Sequence, residues 1–273
     1  MNRVVITGLG VISPVGNAPD SFFDSLLKGK HGFAPVTGFD TSDIPIKIAA
    51  EVKDFDPTAY IEKKEARRMD RYCQFAAASA KLALENAKTD LKDLDPFRVG
   101  VIFGSGVGGF NTFSEEHQKF LEKGPGRVSP FFIPMMISNM AAGMIAIRHG
   151  FKGDNMATVT ACATSANAVG EAFRKIKHGY LDAALTGGSE AAVTKFALAG
   201  FDNMMALSRS TDPDRASIPF DKERNGFVMG EGAACLVLES LDHALSRGAD
   251  IIAEVVGYGA TGDAYHITSP DPE

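Results

Sequence analysis

Residues 158–170 read TVTACATSANAVG, a β-branched run that breaks at Cys162 into a stretch with nothing larger than valine. A strand that feeds a helix of small residues predicts one step of a layered α/β fold, and the same step recurs along the chain. RVVITGLG (3–10) precedes DSFFDSLLKGK (20–30), and RVGVIFGSG (98–106) precedes a long mixed segment. LDAALTGG (181–188), GAACLVLES (232–240) and IIAEVVGYG (251–259) read as further strands. Several of these runs meet a glycine, at Gly8, Gly104, Gly187 and Gly257, so the chain turns tightly at their C-terminal ends. Ligands of open α/β sheets sit at those ends.

Around that junction, a helix is predicted from Cys162 to His178, with Arg174, Lys175 and Lys177 near its end and Gly179 as its stop. A thiol at such a helix start has two readings. Unpaired N–H groups and the helix dipole stabilise a nucleophilic thiolate there, yet free cysteine is also among the most buried residue types and often serves as a small hydrophobe. Cys73, Cys162 and Cys235 are far apart with no CxxC pair, which argues against a disulfide framework or a zinc site and fits a reducing cytoplasm.

Composition narrows the class. With 273 residues, 45 % of them hydrophobic, the chain can bury a large core. A net charge of −6 argues against nucleic acid as a partner. The longest apolar run, near Met140–Ile147, stops at Arg148, short of the roughly 18 residues of a membrane helix. The N-terminal MNRVVITGLGVISPVG is broken by Gly8, Gly10 and Pro14, so it reads as strand and turn and not as a signal peptide.

Two further helices are expected. Arg67 to about Lys88 is rich in alanine and leucine, with Ala76, Ala77, Ala80 and Ala83 suited to close packing on a sheet. SPFFIPMMISNMAAGMIAIRHG (129–150) places Met136, Met140 and Met144 at helical spacing, a pattern that favours core over a pliable channel or interface. VVITGLGVIS near the start and AEVVGYGATG near the end share a strand running into G-x-G, which puts the opening of a second, similar unit near residue 252. FGSGVGG (103–109) and GLGVIS (8–13) resemble dinucleotide loops but fail the Rossmann spacing, so a nicotinamide oxidoreductase is a weak alternative.

Five blocks in order carry a family resemblance: FGSGVGG, SPFFIP (129–134), VTACATSANAVGEA (159–172), IPFDKERNGFVMGEGAACLVLE (218–239) and DAYHITSPDP (263–272). Together they resemble the β-ketoacyl-acyl-carrier-protein synthases, most closely the elongating type II enzymes of fatty acid synthesis. The resemblance implies a thiolase-like fold of αβαβα layers with mixed five-stranded sheets, in which residues 1–251 form the nucleophile half and 252–273 open an incomplete second half. It implies that Cys162 accepts an acyl chain and that a malonyl thioester then loses carbon dioxide and attacks it, with the Cys162 N–H as one oxyanion donor. Val107, Phe201 and, from a partner subunit, Phe132 are expected to wall the acyl channel. Lys64, Arg67 and Arg68, read with Arg71 as one helix face otherwise balanced by Glu62 and Glu65, are expected with Arg127 to dock an acidic carrier protein. The phosphopantetheine arrives on that carrier, so no resident cofactor or metal is expected, and the enzyme is expected to be a cytoplasmic homodimer.

The sequence departs from the family at one point. The HGTGT-like and GHxxGAAG-like histidine motifs, the activating lysine and the C-terminal GFGGxN loop are not found in it. The chain by itself is therefore expected to carry the nucleophile without the groups that drive decarboxylation and condensation. Its alternatives are a non-catalytic fragment and a polyketide-type ketosynthase. An apolar face and an unpaired edge near Ile251–Val256 are expected to stand exposed. Asp221, Arg224 and Glu231 read as structural charges in a glycine-rich run, and Asp263 with His266 as a loop pair with no assigned acid or base role.

Overall fold

The computed structural model describes residues 1–272 and turns the strand–helix alternation into a sheet covered on both faces. The strands are β1 (Val4–Ile12), β2 (Ala34–Pro35), β3 (Ile48–Ala49), β4 (Val99–Gly104), β5 (Asn155–Met156), β6 (Ala183–Glu190), β7 (Gly232–Ser240) and β8 (Ala253–Val255). The α-helices are α1 (Pro19–Leu27), α2 (Lys63–Ala66), α3 (Arg71–Asn86), α4 (Phe110–Lys123), α5 (Phe132–Met136), α6 (Met140–His149), α7 (Thr164–Lys177), α8 (Lys195–Asn203) and α9 (Leu241–Ser246). Among the described residues no helix is long and apolar enough to cross a membrane.

One mixed sheet runs in the order β5-β4-β6-β7-β1-β8. β5, β4 and β6 are parallel, while β7, β1 and β8 join as successive antiparallel neighbours. The resemblance implies five strands per sheet. Here there are six, because the short Ala253–Val255 segment pairs with β1 and sets Val4 opposite Val255. The exposed Ile251, Ile252 and Val256 flank this edge strand. Of the five layers implied, the described residues build three, with α3 and α6 on one face of the sheet and α7 on the other.

Strand alternation assigns the faces. Val101 and Phe103 of β4 join the cluster under α3 and α6, whereas Ile102 joins Ala168, Ala172, Phe173 and Ile176 of α7. Every residue of β4 is buried, as its unbroken apolar run requires in a strand covered on both sides. Met140 and Met144 pack at the margin of the larger cluster, in agreement with the core reading of the methionine stripe. The stripe is not one helix, since α5 ends at Met136 and α6 begins at Met140.

The helix expected from Arg67 starts four residues later, at Arg71, and runs unbroken to Asn86. α2 ends at Ala66, and Asp70 starts α3 by accepting the Tyr72 N–H at 3.1 Å. The other oxygen of Asp70 accepts the Thr112 N–H and hydroxyl at 2.8 and 2.7 Å, which ties α4 to the same point. Burial pushes this carboxyl up, and those hydrogen bonds oppose the shift. The break puts Lys64 in α2, Arg67 and Arg68 in the turn after it and Arg71 at the start of α3, so the four do not share one continuous helix face as expected. Arg71 instead bonds Glu231 at 2.7 Å and lies 4.6 Å over the Phe75 ring, which makes Glu231 the structural charge it was expected to be.

α3 approaches β1 through glycine. A Cβ on Gly10 would stand 2.0 Å from the Ser79 carbonyl oxygen, and one on Gly8 would stand 2.3 Å from that of Ala83. Along α3, Ala76, Ala77, Ala80 and Ala83 are fully buried, as their size predicts. Gly10→Ala is expected to cost about 3 kcal/mol, because backbone would have to move against backbone. Urea unfolding checks it, with Gly259→Ala, where a Cβ meets nothing within 4 Å, as the silent control.

Candidate active site

Cys162 stands in a short 3-10 turn, Ala161–Ala163, ahead of α7. The helix itself starts at Thr164 and not at the cysteine, since Ala161 holds φ at 50° and Thr160 at −135°. A non-glycine residue in the left-handed region costs about 1 kcal/mol, so the surrounding bonds must hold the turn. They are specific. The Thr164 hydroxyl accepts the Thr160 N–H at 2.8 Å, and the Thr158 hydroxyl donates to the Thr164 carbonyl at 2.8 Å. Asn167 bonds both the Thr160 hydroxyl and the Tyr258 hydroxyl at 2.5 Å. Tyr258 lies across Gly170, where a Cβ would meet the ring at 2.2 Å, and the Arg174 guanidinium covers the ring at 4.7 Å. The helix ends as expected, with Gly179 in the left-handed region after the His178 cap.

The turn rests on a pair of glycines. Gly104 of β4 and Gly188 of β6 are partners in the parallel ladder. A Cβ on the first would meet the Thr164 methyl at 2.2 Å, and one on the second would meet the Ser165 Cβ at 2.8 Å. Cys162 is thereby held outward and exposed, on a cavity of about 550 Å³. Val107, Phe201, Ala161, Ala233 and Ala234 supply apolar lining, and Phe201 packs edge-on against Phe227 at 5.8 Å. Among the lining residues, Cys162 and Glu190 are the titratable groups.

Glu190 was not singled out by its sequence context, a lone carboxylate after GGS at the end of an apolar strand. Its oxygens accept the Ser105 hydroxyl at 3.0 Å and the N–H groups of Gly106 and Val107 at 2.8 and 3.3 Å. Burial pushes the carboxyl up, and those three bonds pull it back. Its partners lie 83 to 85 residues earlier in the chain, so no local pattern announces them.

Other predicted residues fall elsewhere. Phe132 opens α5 and lies 6.5 Å from the Phe113 ring, outside the lining of the Cys162 cavity of its own chain. Lys64, Arg67, Arg68 and Arg127 are exposed, and among the described residues no ion pair engages them. Glu65, expected to balance them, turns to Arg148 instead. Arg68 lies 4.8 Å over the Phe131 ring. Asp221 pairs with Arg215 at 3.5 Å and its carbonyl accepts from Arg224, so this run is a charged tie between loop residues. His266 accepts the N–H groups of Thr268 and Ser269 within its own loop, and Asp263 accepts those of Tyr265 and Asp271. A separate cavity of about 770 Å³, lined by Arg71, Glu115, Lys195 and Glu231 among others, contains neither Cys162 nor its apolar wall.

The three thiols differ sharply. Burial pushes Cys73 and Cys235 up to about 12, which leaves both protonated at neutral pH, whereas Cys162 is exposed. Brief treatment with iodoacetamide at neutral pH is expected to alkylate Cys162 alone, and all three sites once the chain is unfolded. Intact mass and peptide mapping read the result.

The family profile of the β-ketoacyl synthase N-terminal domain matches residues 1–244. A 3-oxoacyl-acyl-carrier-protein synthase 2 from Synechocystis sp. is 50 % identical over 272 residues, which are 99 % of this chain and 65 % of that protein. The chain thus spans just under two thirds of the length of that relative. A crystal structure of a β-ketoacyl synthase from Burkholderia phymatum superposes with a TM-score of 0.90 at 33 % identity, covering 99 % of this chain and 67 % of the other. A type II polyketide ketosynthase, solved in complex with its acyl carrier protein and bound to a hexaketide, superposes at 0.85 with 28 % identity over 97 % of this chain and 64 % of that one. Sequence and layered sheet agree, and the chain belongs to the β-ketoacyl synthase family, in its N-terminal domain.

Proposed function

We propose that this chain is the nucleophile-bearing part of a 3-oxoacyl-acyl-carrier-protein synthase of fatty acid elongation, with Cys162 as the acyl acceptor. The observation that carries the reading is an exposed thiol, held outward by a locked turn, on a cavity walled by Val107 and Phe201. The Cys162 sulfur attacks the carbonyl carbon of a carrier-bound thioester, the carrier's thiolate leaves and takes up a proton, and an acyl-cysteine remains. Splitting the condensation in this way replaces one difficult step by two easier ones. The Cys162 N–H, next to the start of α7, suits the tetrahedral oxygen. The same helix carries Arg174, Lys175 and Lys177 in its last turn, where cations favour the dipole.

In the second step a malonyl thioester loses carbon dioxide and its carbanion attacks the acyl carbon. The histidine motifs that the resemblance assigns to that step are not found in this sequence, so the described residues support acyl acceptance and not condensation by this chain alone. The 50 % identity to a 3-oxoacyl-acyl-carrier-protein synthase 2, against 28 % to a type II polyketide ketosynthase, favours the fatty acid pathway. Lys64, Arg67, Arg68 and Arg127 dock the acidic carrier protein, which brings the phosphopantetheine, and no resident cofactor is needed. Phe132 serves the channel of the second subunit of a homodimer in the cytoplasm, and the segment from residue 252 opens a second unit. Support for the docking role is the absence of internal ion partners for these four cations among the described residues.

Incubation with an acyl-loaded carrier protein is expected to add one acyl group, mapped to Cys162 by mass spectrometry, and Cys162→Ala is expected to add none. Acylation elsewhere, or none on Cys162, would overturn the reading. The double reversal Lys64→Glu and Arg68→Glu is expected to slow loading from the carrier about tenfold at low salt, with the gap closing as salt is raised. Loading from a small acyl thioester, which has no carrier surface, should be unchanged.

A further inference from the structure

We propose that Glu190 is a positioning residue: it pins the 105–108 loop to the end of β6, fixes Val107 in the wall of the Cys162 cavity, and so sets the length of acyl chain the cavity admits. The proposal rests on the reading of Cys162 as an acyl acceptor.

The chemistry of the contact is that of a latch. An ionised carboxylate only accepts hydrogen bonds, and here three donors from consecutive residues, the Ser105 hydroxyl and the Gly106 and Val107 N–H groups, converge on it. Among the described residues no cation pairs with it, so its charge is met by loop dipoles, and the loop is correspondingly the element it holds. The contact is tight, since a Cβ on Gly106 would stand 2.8 Å from the Glu190 oxygen. The loop is closed on itself as well. The Ser105 hydroxyl oxygen accepts the Gly108 N–H at 3.0 Å, Gly108 takes φ of 70°, and the Gly109 N–H donates to the Met136 carbonyl at 2.8 Å.

The consequence reaches the cavity through Val107. Its N–H is bound to Glu190, while the residue is 45 % exposed and lines the space that Cys162 and Phe201 also line. A valine fixed at the backbone presents a constant wall. A valine on a released loop can yield to a longer chain. Glu190→Ala leaves three donors without their acceptor, whereas Glu190→Gln keeps an oxygen for Gly106 and Val107 and turns its amide to the free lone pair of the Ser105 hydroxyl.

The test compares rates at which methyl and decyl methanethiosulfonates label Cys162, read by intact mass. The thiolate attacks the sulfenyl sulfur, a mixed disulfide forms and methanesulfinate leaves, so the probe reports on the cavity without any enzymatic step. Wild type is expected to take the methyl reagent faster, Glu190→Ala to shift the methyl-to-decyl ratio by about tenfold toward decyl, and Glu190→Gln to stay within about twofold of wild type. An unchanged ratio in a folded Glu190→Ala, or a shift in Glu190→Gln as large as in Glu190→Ala, would overturn the latch. Gly106→Ala crowds the same contact while keeping the carboxylate, and is expected to shift the ratio in the same direction if Glu190→Ala does not fold; no shift there would overturn the proposal too. Parallel loading with hexanoyl, decanoyl and palmitoyl thioesters separates the two readings. Wild type that loads none of them sinks the acyl-acceptor reading, while the alkyl ratios still judge the latch.

Discussion

The site depends on a contact that a single methyl group would abolish. Gly104 and Gly188 sit opposite each other at the ends of adjacent parallel strands, and the first turn of α7 rests directly on them. Side chains at either position would lift the turn off the sheet, and with it Cys162. Close packing leaves no slack for such a shift. The same device seats α3, where Gly8 and Gly10 let its backbone touch β1. Two helices on opposite faces are thus placed by missing Cβ atoms, and apolar clusters fill the space between each helix and the sheet.

Buried carboxylates then tie loops to this frame, each in its own way. Asp70 caps α3 and anchors α4 through Thr112. Glu190 gathers the loop beside the cysteine. Glu239, on β7, is fully buried and accepts from Arg247 at 2.6 and 2.9 Å and from Thr7, whose position coincides with the register shift in β1. Burial alone would push the Glu239 carboxyl up, but the Arg247 and Thr7 bonds outweigh it and hold it below the usual range. Asp70 and Glu190, which lack a paired cation, lie above that range. The difference is one of partner. Removing water from a carboxylate is costly, and a forked arginine compensates it better than N–H and O–H dipoles do.

Legibility followed the range of the interaction. Strands β1, β4, β6, β7 and β8, the methionine packing and the stop of α7 at Gly179 were readable because alternation, spacing and a left-handed glycine are local signals. The β-branched run at 158–160 is not a strand, since β5 ends at Met156, and Gly8 and Gly187 lie inside β1 and β6 rather than at their C-terminal ends. The break between α2 and α3 was not readable, since the sequence from Lys63 to Asn86 is helix-forming almost throughout. Asp70 decides it by bonding Thr112, 42 residues away. Arg71 left the expected basic face for the same reason, drawn to Glu231, 160 residues away. The start of α7 also shifted, because the Ala161 conformation is imposed by Thr158, Thr164 and the strand ends together.

The sequence by itself determined the α/β alternation, the family resemblance and the thiol to watch at position 162, because strand and helix periodicity and ordered motif blocks are written along the chain. Tertiary structure alone decided that Cys162 is exposed while Cys73 and Cys235 are buried, that four surface cations are unpaired among the described residues, and that Glu190 holds the loop beside the cysteine. Each of these is a matter of burial or of hydrogen bonds between distant segments. Such contacts exist only once the chain has folded, and nothing in the local pattern of residues specifies them.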